Sequence, residues 1–198
     1  MRYKSNLFIP GHTLDRLDRG LNSNASALII DLEDGCPEEN KIEAREELIS
    51  LLKKGNVFTK PLFVRVNDAM NENGRQDIDA LSDYEEQIEA IILPKTQSFD
   101  FLATLAPMIA FENKLVPLIE TPRAVDTVTQ IAALKGLSAC FLERLIFLQE
   151  WAQNLPGNLC YMHVTKSLSL LQCIIYLQSM HLSFISITKK VLKKRQKK

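Results

Sequence analysis

Ala27-Leu28-Ile29-Ile30-Asp31-Leu32-Glu33-Asp34-Gly35 is the stretch that decides the fold. Its apolar first half is too short for a typical helix, and its leucine and isoleucine content is typical of a strand buried on both faces of a parallel sheet. Three carboxylates follow where the strand ends, at the edge where parallel α/β folds bind ligands. Carboxylates this close together repel unless a cation or hydrogen-bond donors lie among them. The alternative interpretation is a polar strand end followed by a helix cap.

Apolar runs of strand length alternate with segments of helical period through the first 139 residues. Strands are predicted at 6–11, 27–31, 61–67, 88–95, 114–122 and from Gly136, and helices at 12–21, 37–52, 78–84, 99–111 and 123–134. Strands that alternate with helices through short loops build a parallel sheet with right-handed crossovers. The predicted fold class is therefore α/β, of the (β/α)8 TIM-barrel type. It is incomplete, because about five or six βα units are visible where a closed barrel needs about eight.

Polar side chains collect at the carboxyl ends of the predicted strands, where a barrel of this type carries its site. The candidates are Glu33, Asp34, Arg65, Lys95 and Glu120. Arg65 interrupts an apolar run, so its guanidinium needs a partner, and arginine is the usual residue for two-point recognition of a carboxylate or phosphate. The alternative is a structural ion pair with Asp68 or another acid. His12 also follows a strand end, where an exposed or capping histidine is the alternative to a ligand contact.

Length, charge and cysteine usage set the class of protein. The 198 residues suit one domain, 46% of them are apolar, and the formal net charge of +0 argues against a whole-protein electrostatic role on nucleic acid. The start from Met1 to Ser5 leads into only a brief apolar run, so we expect no signal peptide. The four cysteines show neither metal-ligand spacing nor a paired framework, which predicts a cytoplasmic location.

Six short motifs occur in one order along this first part of the chain. They are Ser5-Asn6-Leu7-Phe8-Ile9-Pro10-Gly11, Ile30-Asp31-Leu32-Glu33-Asp34, Lys41 to Ala44-Arg45, Val64-Arg65-Val66-Asn67, Leu93-Pro94-Lys95 and Leu118-Ile119-Glu120-Thr121. In order and spacing they resemble the citrate lyase β-subunit group of the HpcH/HpaI aldolases, which act on CoA esters. The resemblance extends to about Ala139 and implies that residues 1–139 are a partial (β/α)8 barrel.

The resemblance also implies a chemistry, namely cleavage or formation of a carbon–carbon bond between a CoA thioester and a 2-oxo acid. Members of the family use Mg²⁺ held by a glutamate and an aspartate. By match, Glu120 would bind the metal and the substrate, Arg65 would bind the substrate, and Glu33 and Asp34 would line the site as catalytic residues. Lys95 matches a family position near the pocket. Relatives assemble as homo-oligomers, and neither nucleic acid nor a membrane is an expected partner.

Residues 140–198 depart from the family. The second metal-ligating aspartate is absent from this chain, since Ile146 stands near its expected position. Composition changes here as well, because Glu143 and Glu150 are the last acidic residues and the end from Lys189 is almost entirely basic. A shift of this size marks a boundary, so we predict a tail that is not homologous to the family.

A one-base shift in the reading frame would explain the tail. Starting between Ala139 and Cys140, codon degeneracy permits Leu-Phe-Phe-Gly-Ala-Ala-Asp-Phe-Ser-Ala-Gly-Met-Gly-Ala in the shifted frame, which is typical of the family and restores the aspartate. A second family-like run, Trp-Glu-Pro-Leu-Leu-Tyr-Ala-Arg, is permitted from Pro156 onward. We therefore predict that residues 140–198 are an out-of-frame translation. Sequencing the gene tests this, because bases that give no family sequence in the other frame would refute it.

Two other interpretations of the tail remain. The run from Leu168 to Ile187 contains no Asp, Glu, Lys or Arg and approaches the length of about 20 residues that spans a bilayer, although Gln172, Gln178 and His181 weaken that interpretation. The terminal lysines are a pattern that binds nucleic acid or acidic lipid. For the whole chain, two functions follow: a Mg²⁺-dependent lyase of the citryl-CoA or malyl-CoA type, or an inactive truncated remnant of such a lyase.

Overall fold

The computed structural model describes residues 5–55, 57–111 and 113–142. All of these residues belong to Tyr3–Phe147, the first of the two units into which the chain divides. The tail predictions on out-of-frame translation, a membrane anchor and a lysine-rich binding segment therefore lie outside the described residues. Among the helices that are described, none is both long and apolar enough to cross a membrane.

The described residues form a six-stranded parallel sheet with strands in chain order. The strands are β1 (Asn6–Pro10), β2 (Ala27–Asp31), β3 (Leu62–Arg65), β4 (Ala90–Leu93), β5 (Leu115–Ile119) and β6 (Phe141–Leu142). Each pairs with the next in parallel register. Sequential parallel order with helical crossovers is the topology of a (β/α)8 barrel, so the predicted fold class is confirmed for this part of the chain.

Helices connect the strands. They are α1 (Leu17–Leu21), α2 (Lys41–Lys54), α3 (Glu72–Ser82), α4 (Phe99–Leu105), α5 (Pro122–Asp126) and α6 (Val128–Ile131), with short 3-10 turns before α1 and α2 and after α3 and α4. Helix α2 ends at Gly55, whose φ of 64° is a conformation that glycine adopts without strain.

Several predicted boundaries were wrong, and the helix predicted at 123–134 is divided into α5 and α6. The segment 12–21 begins as a 3-10 turn, with a kink at Thr13, and becomes helical only at Leu17. Helix α3 begins six residues before the predicted 78, because the Asn71 side chain accepts a hydrogen bond from the Gly74 N–H and caps the helix there. Helix α4 ends at Leu105 rather than 111, since Pro107 cannot donate the next helical hydrogen bond. The last strand starts at Phe141, after an isolated bridge at Leu137.

Alternating residues of the strands divide between two apolar layers, because successive side chains of a strand point to opposite faces. One layer is a cluster on the inner face formed by Ala27, Ile29, Phe63, Ala90, Ile92, Val116 and Leu118, with Ala139 and Phe141 against it. The intervening residues, Leu28, Ile30, Leu62, Val64 and Ile91, are also buried, on the face toward the helices. A strand that is buried on both sides explains why the stretch at Ala27 carries no alternation of polar residues.

Candidate functional site

Three polar residues end the inner face of the sheet at its carboxyl edge. Asp31 is the last residue of β2 and lies in register with Arg65, the last residue of β3. Asp31 comes two residues after Ile29, and Arg65 two residues after Phe63. Because Ile29 and Phe63 belong to the inner-face cluster, both polar side chains also point to the inner face. Glu120 comes directly after β5 and is buried with them. The expected convergence at the strand ends is therefore present.

Arg65 lies at the centre of this group. Its Nε donates to Asp31 Oδ1 at 2.8 Å and its Nη2 to Asp31 Oδ2 at 2.6 Å, a two-point pairing that lysine cannot form. Its Nη1 lies 3.3 Å from Glu33 Oε2, and its Cζ lies 5.4 Å from the centre of the Phe8 ring. The structure thus shows the ion pair that was the alternative interpretation of Arg65, with Asp31 and Glu33 as acids.

Asp31 has a role that the sequence analysis did not assign to it. Besides the guanidinium, its carboxylate accepts the backbone N–H of Glu33 at 3.0 Å and that of Gly35 at 2.9 Å. Gly35 is required for this turn, because a Cβ at that position would lie 2.2 Å from Asp31 Oδ2. The sequence does show that an aspartate and an arginine end neighbouring predicted strands. Pairing Asp31 with Arg65 also requires the register of the two strands, which the sequence does not give.

Glu33 bridges two cations. It is buried, and besides its contact with Arg65 its Oε1 lies 3.1 Å from the ammonium of Lys95. Burial raises the pKa of Glu33, and the hydrogen bond from Lys95 and the charge of Arg65 oppose that rise. The pKa of Lys95 is raised chiefly by its hydrogen bond to Glu33. Asp34 is exposed and acts on both groups only through its charge.

Lys95 also contacts Glu120 through its backbone. Its φ of 55° is a left-handed conformation that side chains other than glycine rarely adopt. In this conformation its N–H donates a hydrogen bond to Glu120 Oε1, while its ammonium points to Glu33. One residue therefore joins Glu120, directly after β5, to the Arg65 group, and a strained backbone at such a position is a common feature of functional sites.

The donors fit Mg²⁺ in type, since this ion prefers oxygen ligands and is often held by only one or two protein carboxylates with water and substrate. Glu120 is a buried carboxylate at the strand edge and suits that role. However, no group of three or more His, Cys, Asp or Glu residues that could hold a metal ion occurs among the described residues. The described part of the chain thus offers Glu120 as a candidate ligand and no group of three or more protein ligands around it.

Comparison with known proteins gives a consistent family. The family model described as HpcH/HpaI aldolase/citrate lyase matches residues 4–145. A (3S)-malyl-CoA thioesterase of Cereibacter sphaeroides is 32% identical over 136 residues, which are 69% of this chain and 47% of that protein. The mitochondrial citramalyl-CoA lyase of Homo sapiens is 24% identical over 124 residues, 58% of this chain and 36% of that enzyme. The chain spans about half the length of the thioesterases it matches, 47% for the first.

Solved structures show the same barrel fold. RipC from Yersinia pestis has a TM-score of 0.59 at 26% identity, covering 85% of this chain and 72% of RipC. The citrate lyase β subunit of M. tuberculosis complexed with oxaloacetate and magnesium has a TM-score of 0.55 at 26% identity, covering 69% of this chain and 56% of that one. A structure of CitE from Mycobacterium tuberculosis with magnesium, acetoacetate and coenzyme A has a TM-score of 0.64 at 21% identity, covering 87% and 63%, and supports the fold alone.

Proposed function

The chain belongs to the HpcH/HpaI aldolase/citrate lyase family, and on that basis we propose that it is a Mg²⁺-dependent carbon–carbon lyase acting on a CoA ester. The observation that carries the proposal is the convergence of Arg65 and Glu120, with Glu33 and Lys95 between them, at the carboxyl edge of the sheet. An arginine that can bind a carboxylate beside a carboxylate that can bind a cation suits recognition of a 2-oxo acid.

We assign each residue one role. Arg65 binds the carboxylate of the acid, since its guanidinium is already aligned by Asp31 and faces the inner side of the strand ends. Glu120 holds Mg²⁺, which when bound would polarise the carbonyl oxygen of the acid. The family resemblance implies a second metal ligand, an aspartate, for which we expect no counterpart in this chain because Ile146 stands near its place.

Glu33 and Asp34 are the proposed catalytic carboxylates. Cleavage of a 3-hydroxyacyl-CoA removes the hydroxyl proton and breaks the adjacent carbon–carbon bond. The electron pair passes to the α-carbon of the acyl-CoA, which then takes up a proton. A carboxyl group whose pKa is raised by burial, as that of Glu33 is, holds a proton nearer neutral pH and suits such transfer. Asp34 lies beside it at the exposed rim.

Two observations favour other outcomes. The relatives from Cereibacter sphaeroides are named thioesterases, so hydrolysis of the thioester is a second activity to test. A site that lacks the second metal-ligating carboxylate implied by the family resemblance is what an inactive remnant of a lyase would retain. Homo-oligomeric assembly and a cytoplasmic location stay predictions, as do the out-of-frame tail, the boundary at residue 139 and the exclusion of nucleic acid and membrane as partners.

The test uses the full chain with malyl-CoA, citramalyl-CoA and citryl-CoA, each with Mg²⁺ and with EDTA. A lyase releases a 2-oxo acid, which forms a phenylhydrazone, whereas a thioesterase releases the free thiol of CoA. We expect Mg²⁺-dependent oxo-acid release that E120Q abolishes and that E47Q, at an exposed glutamate of α2, retains. Thiol without oxo acid would identify a thioesterase. Neither product would identify a remnant.

A further inference from the structure

Six side chains near the end of β3 form a closed ring of hydrogen bonds and ion pairs. The proposed function assigns no role to this ring. In order around the ring they are Arg45, Asp77, Asn67, Lys41, Glu38 and Asn73. They come from α2 and the turn before it, from α3, and from the segment that follows β3. The ring thus joins two helices to the carboxyl edge of one strand.

Asp77 is the most buried member, with no exposed surface. Its Oδ1 accepts Arg45 Nε at 2.6 Å. Its Oδ2 accepts both the backbone N–H of Asn67 at 2.9 Å and the Asn67 side-chain amide at 2.7 Å. A buried carboxylate with this many donors is satisfied, and removing its charge leaves those donors unpaired.

The segment held by Asp77 directly follows the proposed substrate-binding arginine. Val66 still donates its N–H to the sheet, to Ile92 O at 3.3 Å. Asn67 is the first residue whose N–H is taken by Asp77 instead, only two residues after Arg65. Lys41 then donates to the other end of the Asn67 side chain, to Oδ1.

A close backbone approach holds the same segment from a second direction. A Cβ at Gly74, in the first turn of α3, would lie 2.1 Å from Asp68 O and 2.7 Å from Asn67 O. Only glycine permits this contact, because the atoms it would strike are backbone. Two features, a polar ring and a glycine contact, therefore both hold Asn67, and the glycine contact also holds Asp68.

We propose that Asp77 is a positioning residue, which through Asn67 fixes the end of β3 and so the guanidinium of Arg65 that binds the acid. The expected effect of Asp77 on substrate binding rests on the proposed function. Its expected effect on the backbone at Asn67 does not. A misplacement of ~1 Å in such a group can lower activity by about 100-fold, so a rigid support is of direct use.

The first experiment measures hydrogen exchange of backbone amides in the full chain, in D77N and in D79N. Asn is close to Asp in size but has one acceptor fewer, and Asp79 is an exposed aspartate of the same helix. We expect D77N to speed exchange by about tenfold in the peptide spanning 66–70 and to leave β4 unchanged, whereas D79N changes neither. No local change, or an equal change throughout the sheet, would refute positioning.

The second experiment measures the affinity for oxaloacetate with Mg²⁺, at a temperature where the circular dichroism of each variant equals that of the parent. We expect D77N and G74A each to weaken binding by about tenfold and D79N to leave it unchanged. A lower melting temperature with unchanged affinity would mean that the ring only stabilises the fold.

The two proposals fail in different ways. If the parent chain binds no oxaloacetate, the proposed function is wrong, and hydrogen exchange still decides whether Asp77 holds the segment. If D77N does not fold, K41M replaces it, since that change removes only the contacts of Lys41 with Asn67 and Glu38. K41M should then speed amide exchange in the peptide 66–70 by a smaller factor than expected for D77N. An unchanged exchange rate in that peptide would overturn the proposal.

Discussion

Lys95 combines a strained backbone with an ion pair, and two substitutions separate these contributions. K95A removes the contact with Glu33 and keeps a φ of 55° that L residues disfavour, whereas K95G removes the contact and the strain together. We expect K95G to be more stable than K95A by about 1 kcal/mol in urea unfolding. At Glu47 in the middle of α2 the order should reverse, with E47A the more stable. If the glycine variant were the more stable at both sites, or the alanine variant at both, the left-handed conformation of Lys95 would be contradicted.

Glu33 gives the site a pH dependence whose sign follows from its pKa. Burial raises the pKa above the ordinary value of 4.5, so folding favours the protonated carboxyl. This contribution to stability is fully present below pH 4.5 and is lost as the pH rises through the higher folded pKa. Compared with E33Q, which does not titrate, the parent chain should therefore lose stability across that window. Urea midpoints of both proteins at several pH values measure it, and a gap that moves the other way would show a lowered pKa.

The sequence identifies the charged residues of the site but not their pairing. An arginine in an apolar run needs a partner, and three carboxylates in four positions need a cation or hydrogen-bond donors among them, so both needs are visible in the sequence. That Arg65 meets Asp31 depends on the register of β2 against β3, which the sequence does not reveal. Asp77 resembled any polar residue of an amphipathic helix, and only the structure shows it buried beneath Asn67.

At the scale of elements, Thr121 is the N-cap of helix α5 and joins it to the loop that follows β4. Its hydroxyl accepts the Ala124 N–H at 3.1 Å and donates to Thr96 O at 3.2 Å. Loss of an N-cap costs about 1 kcal/mol, so T121A should destabilise the protein by at least that amount, and T121S should not. T104A is the matched control, since Thr104 lies exposed within α4 and caps nothing. An equal effect of T104A and T121A on the urea midpoint would mean that the cap is unimportant.

Strands were easier to predict than helices in this chain, for a physical reason. Each strand from β2 to β5 is a buried run that is almost entirely apolar, so its position follows from composition, whereas three of the five residues of β1 are exposed. The helices depend on caps and breaks, such as Asn71 at the start of α3, whose effect requires the side chain to reach a particular N–H. The first 3-10 turn and the late start of β6 likewise follow from tertiary contacts rather than from periodicity.

At the scale of the whole molecule, two lysines form the same contact at the amino edge of the sheet. Lys60 precedes β3 and donates to Gly20 O at 3.2 Å and Ser23 O at 2.6 Å. Lys114 precedes β5 and donates to Glu85 O at 2.6 Å and Ile88 O at 3.1 Å. Each ammonium therefore joins the segments that precede two neighbouring strands, on the side opposite the candidate site.

Substituting these lysines should separate stability from binding. Hydrogen bonds to charged groups contribute about 1.5–3 kcal/mol, so K60M and K114M should each lower the free energy of unfolding by about that amount. Affinity for oxaloacetate should stay unchanged, because the lysines lie at the other edge of the sheet. Calorimetric titration beside urea unfolding makes the comparison. A parallel loss of affinity would mean that the two edges are coupled.

The Lys60 contact also has a consequence for how the chain is made. A ribosome releases Gly20 and Ser23 well before Lys60, which follows them by 40 and 37 residues. The Lys60 ammonium therefore reaches the carbonyls at the end of the first unit only when the third strand begins to emerge. Lys114 repeats this delay for the carbonyls near β4. These two contacts therefore form only after a later strand has begun to emerge, so a pause in translation before Lys60 would leave the first unit without its lysine contact.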